Sequence, residues 1–274
     1  MMLSYLNVWC KALLFPLVTG STIGQSDSLF LLKTLPVQAR FAVTDNLGNL
    51  YLITRQNAIE KYNREGRLLT RYSTNRFGSA AAIDATNPMK IIVWYADARV
   101  AAFFDRNLTP LSELNLIQAG YPEVRTVAAA ADGNLWIYDE VAFQLKKISP
   151  EGVLLAESQR LNALLSERVS LENLHDDGNT VHAFAPRIGL LSFDAYAQFR
   201  QRRILGDAKT CTATSAQAIC LTESSLLLLD FLRLSEQRLP LPPAVAGQRA
   251  TVWLSAERLL VQNPLQLEIW TWRP

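Results

Sequence analysis

Histidine is nearly absent from this chain: His175 and His182 are the only two in 274 residues. A metal centre built on several imidazoles therefore lacks its ligands. There is no Gly-x-Ser-x-Gly elbow, no Walker phosphate loop and no dinucleotide fingerprint, so none of the chemistries that travel with those motifs is announced. The Asp boxes of sialidases and the Gly-His and Trp-Asp marks of WD repeats are missing too. Neither sign of charge dominates. Against 25 acidic residues stand 27 basic ones, and a net charge of +2 implies no general attraction to nucleic acid or acidic membranes. Any electrostatic role has to come from local clustering.

Long apolar runs are also lacking. The N-terminal stretch Ala12–Val18 contains Pro16 and is well short of the ~20 residues a membrane span needs. It follows Lys11 and precedes the small residues Gly20 to Gly24, the layout of a secretory signal peptide over residues 1–24 with cleavage ahead of Gln25. The expectation is export without a membrane span, to the periplasm or the outer-membrane surface. Cys10 lies before the apolar run and would leave with it. Cys211 and Cys220 remain, nine residues apart around Thr214 to Gln217. Either they face each other across a hairpin as a disulfide or they are two buried thiols on strands.

What the chain has in plenty is short apolar runs separated by turn residues. In Val124–Gln159 the runs Thr126–Ala131, Leu135–Tyr138, Gln144–Ile148 and Val153–Glu157 alternate with Asp132-Gly133-Asn134, Asp139-Glu140 and Ser149-Pro150-Glu151-Gly152. Asp-Gly favours a tight hairpin because glycine reaches φ > 0 without a steric cost. The pattern predicts a four-stranded antiparallel meander, which cannot bury both faces alone and so belongs to an array. The array is present. A polar residue closes the third strand at Asn63, Asp105, Ser149, Asp194, Asp230 and Thr271, with gaps of 42, 44, 45, 36 and 41 residues. The turn before the second strand recurs in NLGNLYLI, ADGNLWIY and DDGNTVHAF.

Six units follow from this count. The last ends after three strands, and a spare strand, Leu29–Leu35, precedes the first unit at Phe41. The expected architecture is an all-β, six-bladed β-propeller of four-stranded antiparallel blades, one domain over 25–274. The N-terminal strand is expected to complete the last blade. Arg160–Arg168 is the one candidate for a short helix. On its GNLYL/GNLWI and KYNREG/KISPEG patterns the chain resembles exported bacterial six-bladed propellers of the NHL and TolB-like kind, over roughly residues 28–272. The resemblance implies a scaffold, a carbohydrate or peptide binder or, in a minority of members, a metal-dependent enzyme. The multi-histidine zinc site of the lyase-type members cannot be supplied by two histidines.

The leading functional expectation is an exported, non-catalytic module that binds a protein or an acidic peptide, without a cofactor. The alternative is a lactonase-like hydrolase with calcium at the channel mouth, for which Asp45, Asp84, Glu172 and Asn173 are candidates on or beside innermost strands. Asp45 and Asp84 also read as strand-closing or turn-capping residues. His175 reads as a turn residue and His182 as a blade residue. Trp94, Tyr95, Trp136 and Tyr138 read as packing between blades. A basic residue stands before each predicted innermost strand: Arg40, Arg76, Arg125, Arg168, Lys209 and Arg249. Six repeats would bring these to one channel mouth. There they are either solvated loop residues paired with acids such as Glu123 and Asp207, or an anion-binding ring.

Overall fold

The structure, a computed structural model, describes residues 28–242, 245, 250–255 and 258–272. The leader, residues 1–24, and Arg249 lie outside the described residues. The chain enters through β1 (Leu29–Leu35). The first blade then comprises β2 (Ala39–Thr44), β3 (Leu50–Thr54), β4 (Ile59–Tyr62) and β5 (Leu68–Tyr72). The second has β6 (Ala82–Asp84), β7 (Ile91–Tyr95), β8 (Val100–Phe104) and β9 (Pro110–Asn115). In the third are β10 (Val124–Ala129), β11 (Leu135–Asp139), β12 (Gln144–Ile148) and β13 (Leu154–Glu157). After the one-turn helix α1 (Leu161–Leu165) comes the fourth, with β14 (Asn173–Asp176), β15 (Val181–Ala185), β16 (Gly189–Phe193) and β17 (Phe199–Arg203). The fifth holds β18 (Thr210–Ala213), β19 (Gln217–Leu221), β20 (Ser225–Asp230) and β21 (Ser235–Pro240). The sixth holds β22 (Thr251–Ser255), β23 (Arg258–Gln262) and β24 (Leu267–Trp272).

Every sheet has four strands and every pairing is antiparallel, so the protein is an all-β, six-bladed propeller. In five blades the strands lie in sequence order. The sixth is ordered β1-β24-β23-β22, with β1 running from Leu29 opposite Trp272 to Leu35 opposite Leu267. The first strands of neighbouring blades touch, β6 meeting β10 through Asp84, and β22 returns to β2.

Burial explains the strand compositions. All residues of β3, β7, β8, β11, β15 and β16 are buried, which is why they read as predominantly apolar runs rather than as alternating ones. Outer strands such as β17 and β21 face solvent and carry polar residues. The core is divided into six apolar clusters, one at each junction between blades. Trp136 and Tyr138 pack against Val181 and Phe193, joining the third blade to the fourth, and Tyr51 and Ile53 pack against Tyr95 and Phe104, joining the first to the second.

The backbone requires glycine at several turns, and two of them show why. Gly133, in the Asp-Gly turn, sits at φ 86°, where a side chain is strained. Gly189 opens β16 at φ 115°, and a Cβ there would run into the carbonyl oxygen of Arg203 on the neighbouring strand. The expected helix shrinks to Leu161–Leu165 because Ser166 adopts the left-handed conformation at φ 54° and stops it.

Candidate functional site

The six first strands surround an axial cavity of about 1070 Å³. Apolar side chains, among them Phe41, Val43, Val127, Leu174, Val252 and Trp253, form its wall. The rings of Phe41 and Trp253 lie tilted with centroids 6.3 Å apart across the junction of blades one and six. All first strands run the same way. Arg40, Arg125, Asn173 and Lys209 therefore lie at the rim where they start, and Asp45, Asp84, Asp176 and Ser255 where they finish.

At the finishing rim the carboxylates are structural latches. Asp45 accepts from the N–H groups of Leu47 and Asn49, from Asn49 Nδ2 and from the Tyr51 hydroxyl. Asp84 reaches from blade two to accept from Ala129 N–H at 2.7 Å. Asp176 of blade four accepts from Ala131 N–H at 3.1 Å and from the indole Nε1 of Trp136 at 2.8 Å, both on blade three, and from Gly178 N–H. Asp177 accepts from Ser215 N–H of blade five. The Ser255 hydroxyl accepts from Thr44 N–H at 2.8 Å, tying blade six to blade one. The remaining acid of the wall, Glu172, pairs with Arg125 at 3.6 Å. Asn173 donates to Thr210 Oγ1 at 2.6 Å. Among the described residues no three His, Cys, Asp or Glu side chains are grouped as the ligands of a cation would be.

At the starting rim the five described cations of the series are all exposed, but they do not converge. None of them lines the axial cavity. Arg40 lies within β2 and donates to Asn57 Oδ1 at 2.8 Å and to the carbonyls of Thr54 and Ala80, bridging blades one and two. Arg76 forms a two-pronged pair with Glu113 at 2.7 and 2.6 Å and stacks over Phe77. Arg125 lies within β10 and meets Glu172; Lys209 meets Glu223 at 3.4 Å. Arg168 stands five residues ahead of β14, beside a shallow surface recess with Phe143 and Asn162. Glu123 and Asp207 pair instead with Arg99 and Arg238.

Cys211 and Cys220 are directly opposite each other in the β18–β19 register, their sulfurs joined at 2.07 Å. His175 is not in a turn. It lies on β14 opposite His182 on β15, because Asp176 still belongs to the strand and the turn runs from Asp177 to Thr180. His182 is 3 % exposed, and its Nδ1 is 3.1 Å from the Ser192 hydroxyl.

Burial pushes the His182 imidazole down to about 4 from 6.5, with nearby His175 adding to the effect and Asp177 and Asp176 opposing it. Between those two pH values the unfolded chain binds the extra proton and the folded one does not. Stability is therefore full above about pH 6.5 and falls as the pH drops toward 4, by up to about 3 kcal/mol. Asp177 acts lower on the scale. Burial would raise its carboxyl, but the Ser215 side chain and the Ser215, Thr180 and Asn179 N–H groups outweigh burial and hold it at about 2. A His182→Leu variant should show a flatter melting temperature between pH 7 and 4.5. A slope equal to that of the wild type would assign the acid sensitivity to other groups.

The chain matches no family model. No curated protein is similar to it in sequence. Solved structures do resemble it. A streptogramin B lyase superposes with a TM-score of 0.62 at 9% identity, over 89% of this chain and 98% of that one. A catalytically inactive virginiamycin B lyase from Staphylococcus aureus, solved with quinupristin, gives 0.60 at 9% identity over 89% and 99%. The WD40 domain of Neurospora crassa Pan2 gives 0.57 at 10% identity over 90% and 96%. Proteins as different as lyases and a WD40 domain share this architecture, and at such identities the likeness shows the propeller fold alone.

Proposed function

We propose that this chain is an exported, non-catalytic scaffold of the cell envelope that binds a protein or an acidic peptide at the rim where the first strands start. The observation that carries this reading is the exposure of Arg40, Arg125 and Lys209 along that one rim, with exposed Arg168 in the loop before β14. The Arg125–Glu172 and Lys209–Glu223 pairs are long, at 3.6 and 3.4 Å, and lie in solvent. Pairs of that kind are worth at most about 1 kcal/mol, so a carboxylate-bearing partner exchanges with them readily. The carboxylates lining the axis are bonded within the fold, which supports a binding role over acid–base chemistry. The WD40 likeness is compatible with a scaffold.

Sulfate or citrate at matched ionic strength is expected to raise the melting temperature of the wild type. The rise should be much smaller in an Arg125→Ala, Arg168→Ala, Lys209→Ala variant. A partner captured from envelope extract by the wild type should be lost from the same variant. Equal anion responses together with equal capture would dismiss the rim as the site.

A further inference from the structure

Among the described residues two buried side-chain nitrogens have no hydrogen-bond partner: Nε1 of Trp94 and Nε2 of His182. Both side chains line the axial cavity, and both stand on second strands, where the cavity reaches past the innermost strand. Trp94 lies at the junction of blades two and three, beside Ile92, Val127 and Ala129. His182 lies by the junction of blades four and five, where Phe184, Leu190, Cys211 and Ala213 line the cavity. The side chains are 4 % and 3 % exposed.

A buried donor left without a partner is costly, and native structures seldom keep one without a reason. Here two share one cavity. An indole N–H can only donate, so it requires an acceptor; a neutral imidazole nitrogen donates or accepts according to its tautomer. The wall between the two recesses sets Val127, Ala129 and Leu174 among Thr126, Asn173 and His175, and about 1070 Å³ is at the upper end of the roughly 300–1,000 Å³ that holds a drug-sized molecule. Asp45, Asp84, Asp176 and Asp177 at the finishing rim repel an anion, and Arg258 is the only described cation in the lining.

We propose that the axial cavity binds an uncharged, largely apolar molecule with a carbonyl or hydroxyl oxygen that accepts from Trp94 Nε1 and a second polar group that meets His182 Nε2. Both side chains stand in the cavity lining, so engagement requires each ring to turn its nitrogen toward the ligand. The site is separate from the exposed cationic rim and stands whether or not that rim binds a protein.

The neutral naphthalene ketone prodan is a suitable probe, because its emission reports hydrogen bonding at its carbonyl. Added to the full chain it should bind saturably, one per protein. Trp94→Phe, which keeps an aromatic ring and removes the donor, should weaken binding about fivefold to tenfold, and His182→Phe should also weaken it. The ligand-free Trp94→Phe protein should melt within a few degrees of the wild type, since the donor it loses has no partner in the fold. Leu234→Ala, at an 86 % exposed outer position, should leave binding unchanged. Non-saturable binding would overturn the proposal, as would equal affinity in a Trp94→Phe, His182→Phe double variant. A crystal grown with prodan that shows only ordered water on both nitrogens would overturn it as well.

Discussion

Asp176→Ala is expected to destabilise the protein by about 4 kcal/mol. The carboxylate is 8 % exposed and accepts from Trp136 Nε1, Ala131 N–H and Gly178 N–H. Alanine removes all three acceptor contacts and leaves the indole N–H of the fully buried Trp136 without a partner. An orphaned buried donor costs about 1–3 kcal/mol, and bonds to a charged acceptor are worth about 1.5–3 kcal/mol each before water replaces part of the loss. Asp176→Asn keeps one side-chain oxygen and should lose roughly half as much. Urea unfolding with an unchanged m-value measures the difference directly. A loss under about 1 kcal/mol for the alanine variant would mean that blades three and four are held by their apolar cluster alone.

Removing β1 should cost about 5 kcal/mol. Leu35 is 7 % exposed, packs in the cluster between blades six and one, and lies against Gly66 in the turn after β4. Its burial is worth about 1.5–3 kcal/mol, and Leu29, partly buried against the cluster of blades five and six, adds a smaller share. The deletion also strips the ladder from the outer edge of β24 and exposes Trp272, which pairs with Leu29. Phe30, Leu31 and Leu32 contribute little to this figure because they are 40 to 51 % exposed. A chain lacking residues 29–35 that melts within a degree or two of the full one would show that the sixth blade is stable with three strands.

The contrast between these two predictions separates what is local from what is not. Strand β1 was legible because it is a mostly apolar run left over after six units were counted. Asp176 was legible as a turn residue, since Asp-Asp-Gly-Asn is turn chemistry, but its role as an acceptor for Trp136 was not. The two residues are 40 positions apart, and nothing in either segment names the other. The same holds for Asp84 with Ala129, 45 apart, and for Ser255 with Thr44, 211 apart. The first two separations are close to one repeat, so they are contacts between equivalent regions of adjacent blades. The third joins the two ends of the ring.

The basic residues show the same limit from the other side. Their recurrence before the first strands was visible in the chain, and the structure does set Arg40, Arg125 and Lys209 at one rim. Their partners were not visible. Arg40 spends its guanidinium on Asn57 and two carbonyls, while the acids nearest in sequence, Glu123 and Asp207, go to Arg99 and Arg238. Long flexible side chains choose among acceptors within several ångströms, and that choice depends on how neighbouring loops are stacked.

The sequence by itself determined the repeat, the strand and turn positions and the class of fold. Those depend on hydrophobic runs and turn residues acting over four to ten neighbours. Only the tertiary structure decided which carboxylates became latches between blades. It alone placed the unpartnered nitrogens of Trp94 and His182 against one cavity. Alternation along a strand assigns a side chain to a face of its blade, but what that face meets is set by closing the ring, which brings together residues a full repeat or more apart.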